Sequence, residues 1–369
     1  MPSSTARWPW IAPIVIYAVS ALEMIIMISP AAAYFYSVYT PLFHGLEQSA
    51  ATAWLPQFFL PHLAATQLPV FRWLSLLGAV LTLVGLVGFF VCAIQLYYGK
   101  FVKKQLVSGG LYGRVRHPQY LLLAIAGVGL LLLWPRFFIL VSFLVMLGLY
   151  YILARHEEEL IRKRYGSATD HYLASVPMFN PFRGRRRAPG AGPVPRSRAF
   201  LTWLAVCAAT LALAFLVRAA AVEQLYTSRF EQPDVTTLSL RARPDEEIAG
   251  LTRSVLETPA ARILTAQNPG ISLFIQVASG SSQLKHLLID LGMREDAMEG
   301  IQTDGESAFA VVSRVKWRDP AATGRPDPLA FGTDIEPLFY VRVGDGKGAG
   351  DMYELLPADF HPGFSRIRF

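Results

Sequence analysis

Eleven residues, Gly110–Tyr120, read G-L-Y-G-R-V-R-H-P-Q-Y, and some forty positions later comes Glu157-Glu158-Glu159. Between them lies a long apolar stretch, Leu121–Ala154, broken only by Trp134-Pro135-Arg136. A stretch broken in this way reads as a membrane hairpin, and a hairpin returns its two ends to one face. Ionisable groups on both legs of one hairpin are hard to explain as packing and read as two halves of a site. Pro118 suits the first turn of the helix that follows. Arg116 and His117 then sit at its N-terminal end, where backbone N–H groups attract a carboxylate or phosphate. Tyr120 adds an aromatic face. The same pentapeptide also suits a plain headgroup anchor, with Arg on lipid phosphate and Tyr in the interfacial belt.

The acidic run has a bland counterpart as well. Glu158 with Arg162 and Glu159 with Lys163 are i,i+4 pairs in the favourable order, as on a solvated helix face. Glu159 fits that description. Glu157 and Glu158 lie nearer the membrane, where one of them is expected to turn back toward His117.

Apolar residues make up 53% of the 369-residue chain, and the net charge of +7 is unevenly spread. Residues 1–221 carry 19 Lys and Arg against 6 Asp and Glu, whereas residues 222–369 carry 15 against 21. A basic flank beside apolar helices points to anionic headgroups and topology rather than nucleic acid. Cys92 and Cys207 have no C-x-x-C partner, so no zinc or redox motif is present, and no metal is expected.

Apolar spans are expected at Trp8–Tyr36, Trp73–Tyr97, the two legs of the hairpin, and Phe200–Val222. The first is too long for a signal peptide and reads as a retained span. Leu121–Leu133 would be only ~20 Å long as a helix, against a hydrocarbon core of ~30 Å. Tilt, an earlier start at Pro118, or a re-entrant path each accommodates it. Loops 98–118 and 155–199 are basic, the latter with Gly184-Arg185-Arg186-Arg187, whereas residues 31–71 have neither Lys nor Arg. The positive-inside rule puts those basic loops and the N-terminus in the cytoplasm of a cell whose inner or plasma membrane holds the chain. Loop 31–72 and the tail are then outside.

The tail reads as a small α+β domain. Val235–Ala242 and Ile271–Ala278 alternate as half-buried strands do, with Phe309–Trp317 and Leu338–Val343 as further strands. Pro244 with Asp245-Glu246-Glu247 opens a helix, Pro at the first helical position, and Ser281–Leu291 is a second helix closed by Gly292. The expected architecture is an all-α polytopic membrane domain, residues 1–221, of about five spans, followed by an extracytoplasmic domain, residues 222–369.

These blocks resemble the isoprenylcysteine carboxyl methyltransferase and phospholipid methyltransferase superfamily over about residues 70–183. The resemblance rests on Gly110, Tyr112, Arg116, His117, Pro118 and Tyr120, then on Glu157, Glu158, Ile161, Tyr165, Gly166, Tyr172, Val176, Pro177 and Pro181. The family often has Pro where Leu111 stands and a second Tyr where Thr169 stands. The resemblance implies an integral-membrane methyltransferase that uses S-adenosyl-L-methionine on a lipid-like or prenylated acceptor. It implies cofactor contacts from Tyr112, Arg116, His117, Pro118, Tyr120, Glu157 and Glu158, with Glu158 and Arg164 as catalytic candidates. The polar cofactor would enter from the cytoplasm and the amphiphilic acceptor from the surrounding lipid. The alternative is a degenerate methyltransferase scaffold that anchors an extracytoplasmic sensing domain.

Other residues carry less. Glu23 is an intramembrane acid, functional by default, though a place in the bundle interior explains it too. His44 and His62 flank an apolar loop and are not expected to hold metal. Asp345-Gly346-Lys347-Gly348 reads as a turn.

Overall fold

The computed structural model describes Ala18 and residues 35–102, 107–166, 168–182, 196–294, 296–298, 307–343 and 349–360. The expected span Trp8–Tyr36 with Glu23, the run Gly184–Arg187 and the turn at Asp345–Gly348 fall outside these residues, apart from Ala18 and the two at 35 and 36.

Among the described residues, three helices are long and apolar enough to cross a membrane: Trp73–Tyr97, Phe137–Tyr165 and Ser197–Glu223. These are three candidate membrane spans; the expected count of five is not confirmed, because most of Trp8–Tyr36 lies outside the described residues. The first leg of the hairpin is helix Pro118–Leu133. It starts at Pro118, and its 16 residues reach about 24 Å, still short of the ~30 Å core.

Two compact units divide these elements. The first contains residues 74–134 and 139–213. It holds most of helix α2 (Val70–Tyr97; α1 is Phe35–Glu47), α3 (Pro118–Leu133), most of α4 (Phe137–Tyr165), α5 (Ala168–Ser175) and the first part of α6 (Arg196–Glu223). Helices α2 and α3 meet through small residues. A Cβ on Gly85 would stand 2.5 Å from Ala126 N and 2.6 Å from Leu122 O, and one on Gly129 would collide with the backbone of Thr82 and Gly78. In lipid, such close backbone approach supplies the van der Waals contact that hydrophobic exclusion cannot. It fixes α3, and with it the residues at its N-terminal end.

The second unit contains residues 32–73, 135–138 and 214–369. A single cut at 221/222 remains a proposal; these units bring the 32–73 segment and the hairpin turn together with the tail. Within this unit α1 occupies part of the expected loop. Arg136, at the hairpin turn, is 1% exposed, with its guanidinium 4.4 Å from the centre of the Phe58 ring and Nη1 donating to Pro56 O at 2.8 Å. Burial, then the charges of Arg136 and His286, pull His62 down to about 4.

Among its described residues the tail forms a six-stranded sheet in sequential order: β1 (Thr227–Phe230), β2 (Asp234–Ser239), β3 (Ser272–Ser279), β4 (Ala308–Trp317), β5 (Thr333–Val343) and β6 (Ala349–Glu354). Only β2 and β3 are parallel. Their crossover carries α7 (Asp245–Leu256) and α8 (Pro259–Gln267), and α9 (Gly280–Asp290) follows β3. The expected strands and both expected helices are present, with shifted ends. Two details differ. Strands β2 and β3 are buried on both faces rather than half-buried. Leu273, Ile275 and Val277 pack with α7 and α8, whereas Phe274 and Ala278 pack with α9. A sheet covered by helices on both faces loses its polar side. Pro244 sits at the N-cap, one residue before the first helical position.

Candidate active site

The site is built at the mouth of the α3–α4 hairpin, within the first unit. Pro118 forbids helical backbone to the residue before it, and His117 accordingly takes φ −127° and ψ 64° at the N-cap. Its side chain makes no cap bond and turns instead toward α4. A backbone strap holds this extended segment. Arg116 N donates to Pro177 O at 2.9 Å and His117 N to Met178 O at 3.3 Å. Helix α5 sets the strap: Val176 N closes on Tyr172 O at 3.0 Å, and the Tyr172 hydroxyl donates to Tyr112 O at 2.9 Å. The Tyr112 hydroxyl reaches Cys92 O on α2 at 3.3 Å.

Consecutive glutamates on one helix project about 100° apart. Here they embrace one imidazole. His117 Nδ1 lies 3.3 Å from Glu157 Oε2, and Nε2 lies 3.4 Å from Glu158 Oε1. Arg116 Nη1 is 2.7 Å from Glu158 Oε1, and the Tyr120 hydroxyl donates to Glu157 Oε1 at 2.7 Å. Glu158 is 7% exposed and His117 only 3%. Burial pulls the imidazole pKa down, but hydrogen bonds that the ring donates to Glu157 and Glu158, and then the charges of those carboxylates, outweigh it and hold it above the ordinary value. The Tyr172 phenol is pushed up to about 12 by burial, with Arg116 opposing and Glu158 adding.

Rings continue the site inward. His117 stacks on Tyr120 at 5.8 Å, and Tyr120 stacks on Tyr150 of α4 at 5.0 Å and 23°. Phe179 covers the other flank of the imidazole, 6.0 Å between centroids.

The structure thus gathers Arg116, His117, Tyr120, Glu157 and Glu158, with Pro118 buried at the helix start and Tyr112 tied in through Tyr172. Both glutamates face His117, where one was expected. Glu158 does not pair with Arg162: it turns inward to Arg116, and Arg162 Nε lies 3.4 Å from Asp170 Oδ1. Glu159 does pair with Lys163, at 2.8 Å on the exposed face. Arg164 is exposed, with its guanidinium 5.6 Å from the Tyr165 ring centre. Leu111 is exposed in a 3-10 turn, whereas Thr169 is fully buried and donates to Gly166 O at 2.7 Å.

Residues 71–168 match the family model described as phospholipid methyltransferase. This segment is a phospholipid methyltransferase domain. It stands within the wider superfamily of isoprenylcysteine carboxyl and phospholipid membrane methyltransferases, and it includes the whole Arg116–Glu158 constellation. No curated protein and no solved structure matches the chain. Tyr172 and the Pro177–Met178 strap lie beyond the phospholipid methyltransferase segment, yet they hold its central residues in place.

Three neighbours escaped the sequence as site residues. Gln119 is 7% exposed, and its Oε1 has no partner among the described residues. Phe179 and Tyr150 flank the stack, and no spacing rule marks them. The sole hint was the seven-residue step from Tyr150 to Glu157, which puts both on one face of a helix.

Proposed function

We propose that the protein transfers a methyl group from S-adenosylmethionine to a lipid-like or prenylated amphiphile. The observation that carries this is His117 embraced by Glu157 and Glu158, with Arg116 on the far side of one carboxylate and Tyr120 on the far side of the other.

The donor set fits the cofactor. Arg116 and His117 suit its α-carboxylate, and Glu157 and Glu158 suit its ammonium or ribose diol. Tyr120 and Tyr112 brace this donor set through their hydroxyls, and Pro118 sets the helix start beside it. Without ligand these groups neutralise one another, so binding exchanges internal pairs for pairs to the cofactor.

When bound, S-adenosylmethionine supplies an electrophilic methyl group. The residues of this chain provide alignment and dryness. The strap at Pro177–Met178 and the Tyr120–Glu157 bond fix the orientation of the polar groups, which is the main service a direct displacement needs. The rings of Phe179, Tyr120 and Tyr150 exclude water from one wall. A carboxylate acceptor needs no base. For an amine acceptor, Glu158 is the group to take the proton, and Arg164 guides an anionic headgroup from its exposed position. The basic loops 98–118 and 155–199 favour a cytoplasmic site, with the tail outside.

Feeding cells labelled methionine, with and without the gene, and comparing lipids and proteins by mass spectrometry tests this reading. A labelled amphiphile that depends on the gene is expected. No gene-dependent label would favour a scaffold role instead.

A further inference from the structure

Four tyrosine hydroxyls surround the constellation, and three of them have acceptors. Tyr112 donates to Cys92 O, Tyr120 to Glu157 Oε1 and Tyr172 to Tyr112 O. The fourth, Tyr150, is 3% exposed, and its hydroxyl has no partner among the described residues. A buried hydroxyl without a partner is costly. Phenylalanine would give the same ring stack on Tyr120 without that cost.

Its place says what the hydroxyl is for. Tyr150 precedes Glu157 by seven residues on α4, about 10 Å further along the helix from the charged groups. It belongs there to an apolar cluster with Phe143, Met146, Leu130 and Leu153, and its ring stacks on Tyr120. A zwitterionic cofactor belongs at the Arg116–Glu158 end. A single hydroxyl within an apolar wall fits a ligand with an apolar body and one polar head.

Resting on the methyltransferase reading above, we propose that Tyr150 binds the methyl acceptor, its hydroxyl donating to an anionic headgroup oxygen, carboxylate or phosphodiester. The ring meanwhile holds Tyr120 in line.

The test uses the full-length protein in nanodiscs, wild type and Tyr150→Phe. Methyl transfer from labelled S-adenosylmethionine is measured to phosphatidylethanolamine in one arm and to N-acetyl-farnesylcysteine in the other. Cofactor affinity is measured by calorimetry on the same samples. The arm that the wild type methylates identifies the source of the oxygen. In that arm the variant is expected to raise the acceptor KM about 10- to 100-fold, the worth of a hydrogen bond to a charged group. Cofactor Kd should stay within about twofold, which also shows that the variant folds. An unchanged KM overturns the assignment, as does a matching loss of cofactor affinity, or transfer to neither amphiphile by a wild type that binds cofactor. A wild type that fails to bind cofactor overturns the methyltransferase reading itself.

Discussion

Tyr120 and Glu157 lie 37 residues apart in sequence and 2.7 Å apart in space, the phenol donating to one carboxylate oxygen while the other faces His117. This bond closes the mouth of the hairpin. It also leaves the Tyr120 ring free to stack on His117 and Tyr150.

Tyr120→Phe separates those roles. The ring and its stacks survive, and only the hydrogen bond to a charged group is lost, worth about 1.5–3 kcal/mol. The melting temperature should fall by a few degrees, and cofactor affinity measured by calorimetry should fall roughly tenfold or more because Glu157 loses its orientation. Tyr120→Leu, which also removes the stacks, should lower both further.

Arg116 and Glu158 form a largely buried pair, their side chains 13% and 9% exposed. Removing one partner strands the other charge, at about 3 kcal/mol. Arg116→Ala and Glu158→Ala should each lower the melting temperature in nanodiscs. The double variant should lose less than the sum of the two, because it strands nothing at that position.

His117 gives a pH signature. Its pKa is raised above the ordinary 6.5, because the bonds and charges of Glu157 and Glu158 outweigh burial, with Arg116 also bearing on the pair. A raised native pKa means that the stabilisation is fully present below about 6.5 and is lost as pH rises through the native value. The melting-temperature gap between wild type and His117→Gln should therefore be widest at pH 6 and narrow above neutrality. A gap that widens with pH would contradict the pairing.

Helix contact reaches the site from a distance. Gly85→Ala places a Cβ against the backbone of Ala126 and Leu122, which cannot swing away. Helices α2 and α3 must part, so both stability and cofactor affinity should fall. Gly250→Ala, on α7 with open space around it, should instead be neutral or stabilising by up to about 1 kcal/mol.

The site was legible in the sequence where ionisable residues were costly. Arg116, His117, Glu157 and Glu158 at the ends of an apolar hairpin invited a common explanation, and the geometry brings them together. The direction of Glu158 was not legible: the local i,i+4 rule offered Arg162, and a tertiary partner, Arg116, prevailed. Tyr150 lay hidden inside an apolar run, since hydropathy does not reveal which hydroxyl finds an acceptor. In the tail, strands with strong apolar content stood out. Four-residue β1 and polar β6 did not, and α8 was overlooked although Thr258-Pro259 marks its start, with Ala261 N donating to Thr258 Oγ1 at 3.3 Å. Burial on both faces of β2 and β3 depends on where the helices pack, which alternation along one strand does not encode.

Calorimetric titration of S-adenosylmethionine into the full-length protein in nanodiscs tests the central claim most directly. The wild type should bind, and His117→Ala and Glu158→Ala should each weaken binding at least tenfold while Glu159→Ala leaves it unchanged. No binding by the wild type, or equal affinity in all four proteins, would contradict the account.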